Sequence, residues 1–179
     1  IFIPKKTFEI GQNSFSHCFN LKRVVFSDES SFCSIGQYAF QSTGLEEVTL
    51  KSRSIQINEL AFSSCKNLSS IEITSDCEYC TINWSAFSFS SIESIFISSK
   101  NLVLKSGWAT GALEISKVAI TSDNGRYISQ HDDQIVFEKT NIYSDEYDVL
   151  CFCVRSLEDV KISPFIRRIE SYAFYQSEL

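Results

Sequence analysis

The chain has 179 residues, of which 44% are hydrophobic, so it can bury a substantial core in one elongated domain. Its net charge of -6 and pI near 5.0 exclude nucleic acid as the main partner, because that affinity comes from basic side chains neutralising phosphates. No apolar run approaches the roughly 20 residues that span a bilayer, and the N-terminus shows neither an initiator Met nor a signal-peptide pattern. The sequence therefore reads as a piece of a longer array, with any membrane association carried by other parts of the parent chain.

Taken in chain order, one apolar triplet recurs about every 23 residues: Leu21, Val24, Phe26; Leu45, Val48, Leu50; Leu68, Ile71, Ile73; Ile92, Ile95, Ile97; Ile115, Val118, Ile120. Each triplet is led by a branched residue with an aromatic five positions later: Ile10 with Phe15, Ile35 with Phe40, Ile57 with Phe62, Ile82 with Phe87, Val103 with Trp108, and near the end Ile169 with Phe174. A small residue always precedes the aromatic, as in Ala39, Ala61, Ala86, Gly107 and Ala173. A cadence of this length marks a stacked repeat whose units bury their apolar faces only against one another. Within Leu-x-x-Val-x-Ile the last two apolar positions share a strand face, which predicts one short parallel strand per unit. The polar segment between aromatic and strand is too short for a full helix and predicts a single helical or 3₁₀ turn.

These residues resemble the BspA-like leucine-rich repeats, whose units read approximately Ile-Gly-x-x-Ala-Phe-x-x-Cys-x-x-Leu-x-x-Ile-x-Ile-Pro. The likeness is carried by Ile35-Gly36-Gln37-Tyr38-Ala39-Phe40 and by the stretch from Ala61-Phe62 through Cys65 to Leu68, Ile71 and Ile73. Gly after the branched residue survives only at Gly11 and Gly36, and the unit of Trp108 is degenerate. The resemblance implies a β-dominated α/β leucine-rich repeat solenoid over residues 1–179. It also implies a surface protein used for adhesion or recognition, binding host, matrix or cell-surface proteins.

The sixth triplet, Leu157, Val160, Ile162, follows Ile115 by 42 positions instead of 23, so about one unit's length is inserted. Across 121–155 the residues alternate differently. Tyr127-Ile128-Ser129 and Gln134-Ile135-Val136-Phe137 flank a polar turn and predict an antiparallel β-hairpin flap, with Tyr147–Val154 as a third strand.

Seven cysteines invite a disulfide framework, yet Cys18, Cys65, Cys33 and Cys80 fall at recurring small core positions where a thiol packs as a small hydrophobe. Cys77-x-x-Cys80 is half a zinc pattern without a second half nearby. His17 and His131 have no nucleophile at triad spacing, and the acids of 132–133 and 145–148 lack the alternation of a calcium loop. No enzyme, metal or cofactor follows. Asn67-Leu68-Ser69 and Asn83-Trp84-Ser85 fit the N-glycosylation acceptor pattern.

The outward strand positions remain as a protein-binding face: Arg23 and Val25, Glu47 and Thr49, Ser70 and Glu72, Ser94 and Phe96, Lys117 and Ala119, Asp159 and Lys161. From these, Arg23, Glu47, Glu72, Phe96, Lys117 and Lys161 are the candidate partner-binding residues. Phe96 is the large apolar member among polar neighbours, the pattern of an interface anchor. Local ion pairs are expected for Arg23 with Glu47 and for Lys117 with the acids of the flap. The alternative reading is an intracellular protein-interaction scaffold, with which core-compatible cysteines agree equally well.

Overall fold

A computed structural model describes residues 1–27, 33–121 and 123–177 of the chain. Parallel strands recur once per unit and build two faces of a β-solenoid. The first face carries the repeat triplets: β5 (Glu47–Leu50), the first part of β7 (Ser70–Ile82), the first part of β8 (Ser94–Leu104) and β9 (Lys117–Ile120). The short pair β1 (Phe2–Ile3) and β3 (Val25–Phe26) carries the same pattern at the N-terminal side. The second face is formed by β2 (Glu9–Ile10), β4 (Cys33–Ile35), β6 (Ser54–Ile57) and the later parts of β7 and β8. β7 and β8 serve both faces because their pairing register breaks between Ile73 and Cys77, which turns the corner.

Alternation of buried and exposed residues along the first face puts Val48, Ile71, Ile95 and Val118 in one inward ladder and Leu50, Ile73, Ile97 and Ile120 in the next. The branched lead residues make the facing ladder, Ile10, Ile35, Ile57, Ile82 and Leu104. Leu104, not Val103, pairs with Ile82, so the fifth unit is shifted by one residue from the sequence reading. Backbone bonds carry that shift onward. Trp108 N donates to Lys105 O as Ala61 N does to Asn58 O, placing Trp108 at the small-residue position and Ala109 at the aromatic one.

The aromatic rings still form one column. Centroids are 5.2 Å apart for Phe15 and Phe40, 5.3 Å for Phe40 and Phe62, and 6.0 Å for Phe62 and Phe87, all stacked. Trp108 meets Phe87 edge-on at 6.3 Å, as a ring arriving from the neighbouring backbone position must. Phe152 continues the column 5.3 Å beyond Trp108.

No helix, α or 3₁₀, occurs among the described residues; the segments between aromatic and strand hold single hydrogen-bonded turns. The aromatic sits between two left-handed residues, two before and two after it: Asn13 and His17, Tyr38 and Ser42, Leu60 and Ser64, Ser85 and Phe89, Tyr172 and Gln176, with Gly107 and Gly111 in the shifted unit. Turns close by bonds such as Ser14 N to Gly11 O and Cys18 N to Phe15 O. A left-handed residue every fourth position reverses the chain before a right-handed helix can propagate.

Residues 127–153 form the expected antiparallel strands. β10 (Tyr127–Gln130) pairs β11 (Ile135–Glu138) across a loop in which His131, Asp132 and Asp133 are all left-handed, and β11 pairs β12 (Val149–Cys153). A final strand, β13 (Arg168–Ile169), lies parallel to β12. This sheet does not project freely. Tyr127, Val136, Phe152 and Val154 join the main core, while Ile135, Phe137, Leu150, Cys153 and Ala173 form a second buried cluster.

Candidate interaction surface

The first strand face presents two outward ladders whose members are about 4.8 Å apart from strand to strand. One runs Glu47, Ser70, Ser94, Lys117; the other runs Thr49, Glu72, Phe96, Ala119. Val25, in register with Phe2, stands at the position of Thr49 one unit earlier. Phe96 is 42% exposed although its strand neighbours Ile95 and Ile97 are buried. The exposure follows from side-chain alternation, which forces every second residue of β8 to the solvent side.

Four of the candidates are thus brought onto one sheet: Glu47, Glu72, Phe96 and Lys117. Arg23 lies beside it, lining a concavity of about 1100 Å³ together with Phe2, Val25, Glu47, Thr49 and Lys51. Lys161 is not there. No strand forms over 157–162, Ile162 is 45% exposed, and only Leu157 and Val160 of that triplet pack, against the second cluster. The reason is the hairpin: Asp133 O accepts Val118 N at 2.7 Å and Ser129 Oγ accepts Ile120 N at 3.1 Å, occupying the edge of β9 that a further strand would need. Asp159 and Lys161 are therefore removed from the ladder.

The ion pairs are arranged differently from expectation at one end and as expected at the other. Lys22 Nζ lies 3.8 Å from Glu46, one position before the anticipated Arg23 and Glu47. Lys117 Nζ lies 3.5 Å from Asp133 of the hairpin loop, whose other oxygen accepts the Ser129 hydroxyl at 2.6 Å. Glu72 is exposed and enters no ion pair among the described residues.

Exposed aromatics with no counterpart in the repeat pattern also lie outside this face. Phe19, Trp84 and Phe89 are 67%, 43% and 64% exposed on the turn side. The residue types at these positions change from unit to unit, so no periodic signal marks them. Phe2 could have been found, since it precedes Val25 by one repeat length.

The cysteines divide by column. Cys80 pairs with Ile55 and Leu102 in a core ladder, whereas Cys77 pairs with Ser99 at the corner. The corner side chains each bond two residues on: Ser52 Oγ to Ser54 O, Cys77 Sγ to Tyr79 O, Ser99 Oγ to Asn101 O. The C-x-x-C spacing is thus the coincidence of two ladders. No group of three or more metal-ligating side chains occurs among the described residues. A hydrogen bond from Cys80 lowers the Cys77 thiol below its usual value, and the same bond with burial raises Cys80. Burial pushes Cys33 up to about 11 and also raises Cys65, Cys151 and Cys153. All seven thiols are free.

Remaining polar motifs have structural partners. Asn83 donates Nδ2 to Ile57 O at 3.0 Å, matching Asn58 to Ile35 O, while Asn67 is exposed on its turn. Asp148 accepts Thr140 N at 2.8 Å, which holds its carboxyl below the usual range and uses it as a loop cap.

Six copies of the BspA type leucine rich repeat region match residues 1–108 and 133–179. The chain belongs to this family. The matched span takes in β11, β12 and β13, so the later part of the insertion lies within the repeat pattern. Among solved structures, a leucine-rich repeat protein from Eubacterium ventriosum is similar over 98% of this chain and 44% of its own, with TM-score 0.74 and 19% identity. The pneumococcal vaccine antigen PcpA aligns over 97% of this chain and 42% of its own, with TM-score 0.55 and 19% identity. A leucine rich cell surface protein from Faecalibacterium prausnitzii aligns over 97% and 51%, with TM-score 0.53 and 22% identity. The chain therefore spans about half or less of each of these proteins, and the likeness is one of fold. No curated protein sequence matches it closely.

Proposed function

We propose that this BspA-type chain is a non-enzymatic recognition segment of a cell-surface adhesin that binds host or matrix proteins through the first strand face. The observation that carries the reading is Phe96, an exposed ring on β8 whose outward neighbours on the adjoining strands, Ser70, Glu72, Lys117 and Ala119, are small, polar or charged. A buried aromatic anchor within a polar surround is the energetic pattern of protein interfaces. Arg23, Glu47, Glu72 and Lys117 supply the charged surround, and the family's repeats are generally protein-interaction modules. The cell-surface protein and the vaccine antigen among the structural neighbours support an external location.

A second reading, an intracellular scaffold using the same face, is favoured by one observation: seven thiols stand free where an oxidising compartment would favour pairing. Antibody labelling of intact against permeabilised source cells separates the two. Labelling of intact cells is expected; labelling only after permeabilisation would refute the adhesin.

A further inference from the structure

The rung formed by Glu72 and Phe96 has a chemical preference built into it. The two are register partners on β7 and β8, so carboxylate and ring lie about one strand spacing apart on the same side of the sheet. On the far side of Phe96 the partner is Ala119, and two residues before it on its own strand stands Ser94, both too small to cover the ring. Lys117, on the strand beyond Phe96, is engaged by Asp133. An accessible aromatic face therefore sits beside a carboxylate, Glu72, that enters no ion pair among the described residues.

We infer that this rung receives a basic side chain of a protein partner, an arginine laid over Phe96 with its guanidinium directed at Glu72. Cation over ring and cation to carboxylate act on the same group, and the planar guanidinium meets both demands where a lysine ammonium meets one at a time. The assignment rests on the proposed use of this face for recognition and adds the chemistry of what it recognises.

The test is titration of the intact chain with capped alternating Gly-Arg, Gly-Lys, Gly-Glu and Gly-Leu peptides, followed by backbone amide shifts. The Gly-Arg peptide is expected to perturb 71–73, 95–97 and 118–120 and to bind more tightly than Gly-Lys. Phe96→Ala should weaken it about tenfold and erase the preference over lysine. Glu72→Gln should weaken it about three- to tenfold and flatten its salt dependence. Both side chains are exposed, and an unchanged thermal midpoint confirms that the variants stay folded. Binding of Gly-Glu or Gly-Leu at this rung, or basic binding indifferent to both substitutions, would overturn the cation assignment while leaving the face a recognition surface. If no peptide perturbs these strands, the assignment and the strand-face reading both fall.

Discussion

Replacing Phe62 by Ala tests whether the ring column holds the solenoid together. Phe62 is fully buried and has a stacked ring on each side, at 5.3 and 6.0 Å. Truncating a buried Phe to Ala costs about 3–5 kcal/mol, and losing two ring contacts places this site at the upper end, about 4–5 kcal/mol. Phe15, at the column's end, is half-buried and has one stacked partner at 5.2 Å, so its truncation should cost about 2 kcal/mol. At an m-value of about 2.5 kcal/mol/M the Phe62→Ala midpoint in urea should fall by roughly 1.5–2 M. The central site also couples its two neighbours, since solenoid stability is a sum of unit and interface terms. Trp84 and Trp108 both lie on its C-terminal side, so fluorescence and far-UV circular dichroism, coincident in the parent, should separate in the variant. Equal losses at positions 15 and 62, or a loss under about 1 kcal/mol at 62, would refute the column as the main coupling element.

A Cβ on Gly44 would lie 2.2 Å from Phe19 O of the preceding unit, so Gly44→Ala should cost at least about 2 kcal/mol, while Gly125→Ala, with nothing within 4 Å, should stay within about 0.5 kcal/mol in the same urea assay. Phe89 holds a φ of 58° and is 64% exposed; Phe89→Gly should relieve left-handed strain, less the entropy of glycine, and raise stability by about 0.5–1 kcal/mol. A loss on thermal melting would show that the ring packs. Cys18 is exposed whereas Cys33, Cys65 and Cys80 are buried with raised thiols; at pH 8, Cys33 near 11 is about one part in a thousand thiolate. Ellman's reagent should therefore label Cys18 quickly in the native chain and these three only on unfolding; equal rates would contradict the burial.

What the sequence made legible was whatever repeats. Inward ladders such as Val48, Ile71, Ile95 and Val118 were readable because each unit must offer the same apolar group to its neighbour. The outward partners Glu72 and Phe96 followed from the same alternation. Three things escaped for physical reasons. The left-handed turns carry Tyr38, Leu60 and Phe89 instead of the glycines that normally announce positive φ. Trp108 kept the five-residue spacing from Val103 while its backbone register moved by one, because spacing to a ring does not fix which bond bears it. The triplet Leu157, Val160, Ile162 had the pattern of a strand without an edge to join, and an edge is a property of the neighbouring chain.

That missing edge explains how the molecule separates stacking from recognition. The hairpin satisfies Val118 N and Ile120 N, so the first face stops at β9, and unpaired strand edges, the usual route to unwanted pairing, are covered there. The core does not stop with it. Phe152 takes the next place in the ring column from β12, and β13 adds parallel to that strand. Arg155 then covers Phe152, its guanidinium 5.0 Å from the ring and donating to Cys153 O at 2.7 Å. Interior continuity and exterior face are thus set by different residues. Changes to Glu72, Phe96 or the hairpin loop can alter what the face offers while the column from Phe15 to Phe152 keeps the stack in register.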